Sequence, residues 1–425
     1  MQVARRLEEA VMGLTDDRAG GHGGSLPTRA AAAELLHGAM GIREHDDRWV
    51  RPLRVSEAQL RALGSCQAWH PGLFRQMALT CAGVRVEFET DAREVVLELR
   101  VDREPRGTRA VLEGIDRNRP EGDDPHDMVS VDIDGHHEAC GMPAEGDEVL
   151  SVSLVGHDRE DDLGLQALPG LARTRHVRIW LPALRGCMVR DVWCDGTAIR
   201  PVAPKRNLLV LGDSVAQGFV SDDPARSWPA LLAARLGLDL VNQGIGGQVF
   251  QPGSLAGLAG SVDPERIVVA YGENYRYEAC AAAGVSRDVR LYLRELSHLW
   301  PQATTYVLTP LWHDEAVWPS HARSCHAQVP SLIAEQVAPY DQMTLVDGLG
   351  LLDHDPALLA DGHGHPNERG CRQIALRLNA VIRVPGLRPS SVGKRRKRKR
   401  ARTERARTPR QGGGGAPRLP LDGLP

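Results

Sequence analysis

Residues that are able to do chemistry come directly after apolar runs in the C-terminal half of the chain. Ser214 follows NLLVLGD, Asn274 follows RIVVAYGE, and the glycine-rich residues 242–247 follow LDLV. A fourth stretch, DGHGHPNERG at 361–370, supplies an aspartate and two histidines. Alone, a serine after a strand is an ordinary helix N-cap, and a glycine-rich stretch is an ordinary turn. Together they provide what an acyl-transfer site requires: a hydroxyl, an imidazole, a carboxylate and N–H donors.

The apolar runs define the elements that must position these residues. NLLVLG, LDLVNQG, RIVVAYG, TTYVLTP and MTLVDG are continuous runs, and helix-like stretches such as WPALLAARLG and ERGCRQIALRLNAVI alternate with them. Continuous apolar strands that alternate with helices indicate a parallel sheet covered on both faces. In such a sheet functional loops gather at the carboxyl ends of the strands, so we expect the four groups at one edge.

The order of these motifs resembles that of the SGNH hydrolases, also called the GDSL esterase/lipase family, which are named for a serine, a glycine, an asparagine and a histidine in four separate blocks. Block one reads GDSVAQG here, with Val215 in place of the usual leucine. Block two reads NQGIGG, block three YGENY and block five DGHGHPNERG. The resemblance covers about residues 205–384. It implies a flavodoxin-like α/β/α hydrolase domain that works without a metal or an organic cofactor.

The resemblance also implies a role for each residue, and each role has a physical reason. Ser214 is the expected nucleophile, and His365 is the base expected to take its proton. Asp361 is expected to hold the imidazole in the correct tautomer. The backbone N–H groups of Ser214 and Gly247 and the side-chain amide of Asn274 are expected to form the oxyanion hole.

Two positions depart from the family pattern. The family usually has Asp-x-x-His-Pro, whereas one more residue separates Asp361 from His365 here, and His363 is a competing base. Block three usually reads Gly-x-Asn-Asp, and Tyr275 stands in place of that aspartate. We interpret this change as one of scaffolding or pocket lining. Tyr275 and Trp312 are candidates for the substrate pocket, although for Trp312 an ordinary loop position is the favoured alternative.

Short alternating runs before the hydrolase region predict a different domain. VRVEFET, VVLELRV, SVDID, VLSVSLV, HVRIWLP and VRDVWCDG each suit a half-buried strand, with Asp134-Gly135 and Asp195-Gly196 as turns. We therefore predict an all-β sandwich or jelly roll over residues 66–202, ahead of the hydrolase domain at 205–384. This region resembles the jelly roll that precedes the hydrolase in carbohydrate-esterase-like members of the family.

The two ends of the chain differ in composition from the rest. Residues 1–65, with helix-forming pieces such as AAAAELLHGAM and SEAQLRAL, predict a helical or partly disordered extension. Residues 385–425 predict a disordered basic tail, because they are rich in Pro, Gly, Arg and Lys and poor in large apolar residues. The run KRRKRKRAR at 394–402 has the charge to contact nucleic acid. A solvated tail is the favoured interpretation, since no aromatic residue interleaves with the charges and the rest of the chain is acidic.

Composition excludes several other classes of protein. With 425 residues, of which 42% are hydrophobic, the chain can bury one large core or two ordinary cores. No apolar run approaches the roughly 18 residues of a membrane span, and no export signal is recognisable, so the expected location is cytoplasmic. The eight cysteines contain no CxxC pair and suit small buried hydrophobes. His363 and His365 make a weak metal site, because one of them is already the expected base, and no metal is predicted.

The sequence thus predicts a serine esterase that hydrolyses small acyl esters, and the resemblance implies acetyl groups on carbohydrate. A glycan-binding protein with a weak or inactive hydrolase domain is one alternative, motivated by the extra residue before His365 and by the missing aspartate of block three. A lipid-ester or thioester hydrolase is another, although the four phenylalanines and the absence of a long apolar lid argue against a lipase. The predicted partner is a small-molecule or glycan ester, with no membrane involved. The oligomeric state stays open.

Overall fold

The computed structural model describes most of both predicted domains. The described residues are 27–65, 71–107, 112, 127–143, 146–155, 174–258, 260–276, 280–317 and 323–384. The predictions for residues 1–26 and for the tail at 385–425, with its basic run at 394–402, lie outside the described residues.

The first part of the chain forms two antiparallel sheets. Its strands are β1 (Thr28–Ala31), β2 (Leu36–His37), β3 (Gly41–Glu44), β4 (Val50–Leu53), β5 (Arg85–Thr90), β6 (Glu94–Val101), β7 (Val129–Ile133), β8 (His136–Gly141), β9 (Val149–Ser153), β10 (Arg175–Trp180), β11 (Cys187–Cys194) and β12 (Ile199–Pro201). One sheet has the order β3-β4-β11-β6-β9, with β1 also on β11. The other has the order β12-β5-β10-β7-β8, with β2 also on β5. The predicted all-β domain is confirmed.

Alternation along the strands explains why these sheets pack face to face. Successive side chains of a strand point to opposite faces, so each sheet turns one apolar row inward. The resulting core contains fully buried residues of both sheets, among them Val86, Phe88, Leu97, Val131 and Ile179. The β7–β8 hairpin turns through Asp134 and Gly135, which have φ angles of 52° and 82°. Two positive φ values are typical of the tight hairpin turn that an Asp-Gly pair favours.

The segment 27–65 belongs to this sandwich and is not a helical extension. β1 pairs with β11, β2 pairs with β5, and β3 and β4 form a hairpin beside β11. The expectation of a helix in AAAAELLHGAM is wrong, because Thr28–Ala31 is a strand and Ala32–Leu35 is a single 3-10 turn. A short alanine-rich helix is marginal by itself, so strand pairing with distant partners overrides its propensity. Two helices follow, α1 (Glu57–Ser65) and α2 (Pro71–Ala78).

The second domain contains a five-stranded parallel sheet with the order β14-β13-β15-β16-β17. Its strands are β13 (Asn207–Gly212), β14 (Asp239–Asn242), β15 (Pro264–Ala270), β16 (Thr304–Leu308) and β17 (Met343–Val346). Its helices are α3 (Ser214–Gln217), α4 (Trp228–Leu236), α5 (Ala282–Leu299), α6 (Arg323–His326), α7 (Val329–Val337) and α8 (Glu368–Arg383). The helices α4 and α8 cover one face of the sheet, and α5 and α7 cover the other. This is the predicted α/β/α architecture.

The described helices and cysteines can be compared with the expectations from composition. Among the described helices, none combines the length and the apolar character that a bilayer span requires. The described cysteines have free thiols, and Cys81, Cys187, Cys194, Cys325 and Cys371 are buried.

Candidate active site

Ser214 lies at the carboxyl edge of the parallel sheet, at the first position of α3. The strand β13 ends at Gly212, and Asp213 is the N-cap of the helix. The Asp213 carboxylate accepts a hydrogen bond of 3.0 Å from the Val215 N–H, so this side chain does the capping. The Ser214 hydroxyl is therefore left for another partner, and the ordinary N-cap interpretation of Ser214 does not hold.

A serine, an imidazole and a carboxylate follow one another within hydrogen-bond distance. The Ser214 Oγ lies 2.9 Å from the His365 Nε2. The His365 Nδ1 lies 2.5 Å from the Asp361 Oδ2. In this arrangement a proton can pass from the hydroxyl to the imidazole while the carboxylate orients the ring and stabilises its charged form.

The loop from Asp361 to His365 accommodates the extra residue by closing on the aspartate. The Asp361 Oδ1 accepts hydrogen bonds from the N–H groups of His363, Gly364 and His365, at 3.0, 2.9 and 3.0 Å. The other oxygen is thereby turned toward the His365 ring. Burial by itself would raise the pKa of Asp361, but the hydrogen bond and charge of His365, together with these N–H groups, hold that pKa well below its usual range.

His363, the competing base, is a second histidine on the same carboxylate. Its Nε2 lies 3.2 Å from the Asp361 Oδ2, and burial is the main cause that lowers its pKa. His365 is the histidine whose ring lies within hydrogen-bond distance of Ser214. Asp361, His363 and His365 each bring one potential metal-ligand atom within 4.8 Å of the others. Hydrogen bonds to Ser214 and within the loop already use the His365 nitrogens, so the arrangement suits a proton relay better than a metal site.

Two of the three predicted oxyanion donors, Gly247 and Asn274, lie on the loops that follow the two strands beside β13. Gly247 has a φ of 77°, and the Asn274 side chain is 8% exposed. The Asn274 Nδ2 donates a hydrogen bond of 3.1 Å to the Gln248 carbonyl, which joins the two loops. No residue of the described ranges accepts a hydrogen bond from the backbone N–H of Ser214 or of Gly247.

The loop 242–247 packs closely against α3. The Asn242 Nδ2 donates to the Ala216 carbonyl of α3 at 2.8 Å, and the Asn242 Oδ1 accepts from the Gly244 N–H within the loop, also at 2.8 Å. The Gly246 N–H donates to the Gln217 Oε1 at 2.9 Å. A Cβ at Gly244 would lie 2.3 Å from the backbone nitrogen of Gln217, so glycine is required there by close approach.

A family match agrees with this geometry. Residues 210–373 match the model of the GDSL-like lipase/acylhydrolase family. The match runs from β13 into α8 and so covers most of the second domain. The chain is accordingly a carboxylic ester hydrolase of the GDSL type, and the resemblance seen in the sequence is confirmed.

Solved structures share the fold of the whole two-domain chain. The salicylyl-acyltransferase SsfX3 from a tetracycline biosynthetic pathway is 17% identical, with 85% of this chain and 99% of that chain covered, at a TM-score of 0.62. A GDSL-like lipase from Bacteroides ovatus is 18% identical, with 84% and 97% covered, at a TM-score of 0.60. A family two carbohydrate esterase from Cellvibrio japonicus is 16% identical, with 84% and 97% covered, at a TM-score of 0.52. No curated protein matches the sequence.

The two aromatic residues predicted to line the pocket of the GDSL domain have other surroundings. Tyr275 is 2% exposed and packs in the core beneath α5 and α7, so the expectation that it lines the pocket is not met. It lies on the 3-10 turn Glu273–Arg276, which directs its ring into the sheet. Trp312 stacks on the ring of His354, with 5.4 Å between centroids and 12° between planes. This stacking suits the alternative of an ordinary loop position.

Sequence reasoning missed two features beside Ser214, His365 and Asp361. Phe219, in the loop after α3, packs edge-on against the His365 ring with 4.7 Å between centroids. Its other neighbours include Leu184 of the sandwich, so both domains support the base. Behind Ser214, Asp213 and Glu273 line a small cavity. Burial raises the pKa of Asp213 to about 7 and that of Glu273 to about 8. Phe219 is a single aromatic residue in a loop and Glu273 is an isolated glutamate, so neither belongs to a sequence pattern that would have revealed it.

Proposed function

We propose that this chain is a serine esterase that hydrolyses small acyl esters through an acyl-enzyme on Ser214. The observation that carries the proposal is the unbroken set of contacts from the Ser214 Oγ to the His365 Nε2 and from the His365 Nδ1 to the Asp361 Oδ2, at 2.9 and 2.5 Å. A neutral serine is a poor nucleophile unless a base lies within reach of its proton. An inactive glycan-binding relative has no need of this hydrogen-bonded set, so the geometry favours turnover.

Acylation begins when the Ser214 oxygen attacks the carbonyl carbon of the ester and His365 takes the hydroxyl proton. Asp361 holds the ring and stabilises its positive charge. The carbonyl oxygen becomes an oxyanion, which accepts hydrogen bonds from the N–H groups of Ser214 and Gly247 and from the amide of Asn274. As the intermediate collapses, the bond to the alcohol oxygen breaks, and His365 gives its proton to that oxygen.

Deacylation repeats these steps with water as the nucleophile. His365 takes a proton from water while the water oxygen attacks the acyl carbon, and the same donors stabilise the second oxyanion. The bond between the acyl carbon and the Ser214 oxygen then breaks. The carboxylic acid leaves, and the proton held by His365 returns to Ser214. Every step uses side chains and backbone groups of this chain.

For the substrate we propose an acetyl or similarly small acyl group on a carbohydrate alcohol. Support comes from the two-domain fold that the chain shares with the family two carbohydrate esterase from Cellvibrio japonicus. The fold is also shared with a salicylyl-acyltransferase. In acyl transfer an acceptor alcohol would replace water in the second half of the reaction, on the same acyl-enzyme.

The serine mechanism is tested by p-nitrophenyl acetate hydrolysis with Ser214→Ala. We expect kcat/KM to fall by on the order of 10⁴–10⁶-fold, as when a triad serine is removed. Ser331→Ala is the matched control, because Ser331 is exposed on α7, and it should keep the wild-type rate. Equal rates for wild type and Ser214→Ala would contradict the proposal.

The substrate class needs a second measurement. We expect acetylated sugars to be hydrolysed with a higher kcat/KM than p-nitrophenyl esters of longer acids. Faster turnover of long-chain esters, or acyl transfer from acyl-CoA to an alcohol, would refute the carbohydrate proposal while leaving the serine mechanism intact.

A further inference from the structure

Arg54 is a fully buried cation between the two domains, in the segment after β4. Its side chain has 0% exposure. One guanidinium nitrogen donates to the carbonyls of Asn242 and Gly244, at 3.1 and 2.8 Å, and another donates to the carbonyl of Met77 at 2.7 Å. The described acceptors of Arg54 are thus neutral backbone carbonyls, and burial lowers its pKa to about 10. A sandwich residue therefore binds the loop that leads to Gly247.

The cost of burying this cation indicates what it does. A guanidinium that is taken out of water without a carboxylate loses solvation that carbonyls replace incompletely, and apolar side chains of similar volume often stabilise a fold as well or better. Packing between the domains therefore gives no reason for an arginine at this position. What an arginine provides is a rigid fork of donors, which fixes the positions of several acceptors at once. Here those acceptors are two carbonyls of the loop 242–247.

Other residues of the same segment hold the rest of the loop. The Gln59 Nε2 donates to the Gln243 Oε1 at 2.7 Å, and the Gln243 Nε2 donates back to the Arg54 carbonyl. Ile245 is buried in a cluster with Leu60 of α1 and residues of α2. A loop held at 242, 243, 244 and 245 can deliver Gly247 in one orientation, and Gly247 itself is at a positive φ that glycine adopts without strain.

We propose that Arg54 is a positioning residue for the oxyanion hole, acting through the carbonyls of Asn242 and Gly244 to aim the Gly247 N–H at the substrate oxygen. This inference rests on the proposed function of Ser214 and Gly247. Arg54 touches no reacting atom, so its contribution is to geometry. The sandwich is then part of the catalytic unit.

The chain offers a matched control in Arg85, a second buried arginine between the domains. Arg85 is 4% exposed, and it donates to the Asp239 Oδ1 at 2.6 Å and to the Glu87 carboxylate at 2.6 Å. Asp239 is the first residue of β14, and Asn242 is the last. The two arginines thus bind opposite ends of one strand. Arg54 binds the end that leads into the loop 242–247, which carries Gly247 and is called the oxyanion loop below.

The test compares Arg54→Met with Arg85→Met in the full chain, below the melting temperatures of both variants. For Arg54→Met we expect kcat on p-nitrophenyl acetate to fall on the order of 10–100-fold per folded molecule, since a small misplacement of an oxyanion donor has that effect. KM should stay within about threefold, and binding of a boronic acid transition-state analogue should weaken by the same factor as kcat/KM. Arg85→Met should lower the melting temperature yet keep kcat within about threefold of wild type.

Several outcomes would overturn the inference. A wild-type kcat in folded Arg54→Met, or an equal loss of kcat in Arg85→Met, would show that Arg54 supports stability alone. Where Arg54→Met fails to fold, Arg54→Lys decides: one ammonium cannot reproduce the fork, so kcat should fall, and a wild-type kcat would refute the proposal. Full activity of Ser214→Ala would instead refute the proposed function, so the two failures are distinguishable.

Discussion

Two supports of different construction meet at Ser214. On one side, the loop from Asp361 to His365 is closed by its own backbone, with the Ala360 N–H also bound to the His365 carbonyl at 2.8 Å. On the other side, the oxyanion loop is bound by Arg54, which is separated by 188 positions from Asn242. The proposed base is thus held mainly by its own loop, with Phe219 packed on its ring, whereas the loop with the proposed oxyanion donor Gly247 is bound by a residue far along the chain. Because the two supports share few residues, substitutions in one should leave the geometry of the other unchanged.

The local support accommodates the extra residue, because the Asp361 carboxylate binds N–H groups of its own loop. One residue more than the family spacing leaves the Asp361 Oδ2 at 2.5 Å from His365. The long-range support has no such freedom, since the guanidinium, the carbonyls and the helices that hold them belong to three parts of the chain. Substitutions at Asp361 should therefore alter proton transfer at His365 without moving the backbone. Substitutions around the loop 242–247 should instead move the Gly247 N–H.

The largest effect is expected on the local side, from Asp361→Asn. The amide would hold the imidazole in the wrong tautomer, so kcat should fall on the order of 10³–10⁴-fold while the circular dichroism spectrum stays that of the wild type. His363→Asn is the matched control, because it removes the second histidine from the same carboxylate, and kcat should stay within about fivefold. A larger loss of kcat from His363→Asn than from Asp361→Asn would contradict the assignment of His365 and Asp361 as the base and its carboxylate partner.

A smaller effect is expected on the long-range side, from Gly247→Ala. An alanine at a φ of 77° is strained, and relaxation of the loop would turn the N–H away from the substrate. We expect kcat to fall by about tenfold or more. Gly237→Ala is the control, because Gly237 caps α4 at a φ of 71° with open space around it. Both variants should lose similar stability in urea titrations, and a similar loss of kcat in both would contradict a role for Gly247 in the oxyanion hole.

The smallest effect concerns the cavity behind Ser214, between the two supports. In the folded protein, burial raises the pKa of Glu273 to about 8, whereas the ordinary value is 4.5. Unfolding therefore releases a proton between these pH values. The free energy of unfolding should therefore decrease as pH rises through this window, by up to about 1.4 kcal/mol per pH unit for one proton. Glu273→Gln should remove this part of the slope. Glu335→Gln is the control, because Glu335 is exposed on α7, and it should retain the slope. An unchanged slope in urea unfolding of Glu273→Gln from pH 5 to 8 would refute the burial of a protonated carboxyl there.

The same contrast explains what the sequence could predict. Continuous and alternating apolar runs predicted the parallel sheet and most strands of the sandwich, because those patterns follow from which faces are buried. Ser214, His365 and Asn274 were recognisable because side-chain identity matters at these positions. Strands β1 to β4 were missed, since their pairing partners lie far along the chain and alanine-rich sequence favours helix locally. Arg54 was missed because its acceptors are backbone carbonyls, which any residue provides.

The separation of Arg54 from its acceptors has a consequence for how the protein becomes active. A contact across 188 positions closes a long loop, so its entropic cost is met late in folding, after local helices and hairpins have formed. Domains emerge from the ribosome in chain order, and the sandwich precedes the loop that it must hold. Refolded chains should therefore regain secondary structure before they regain esterase activity. The interval between the two measures the time that the contact between Arg54 and the loop 242–247 takes to form.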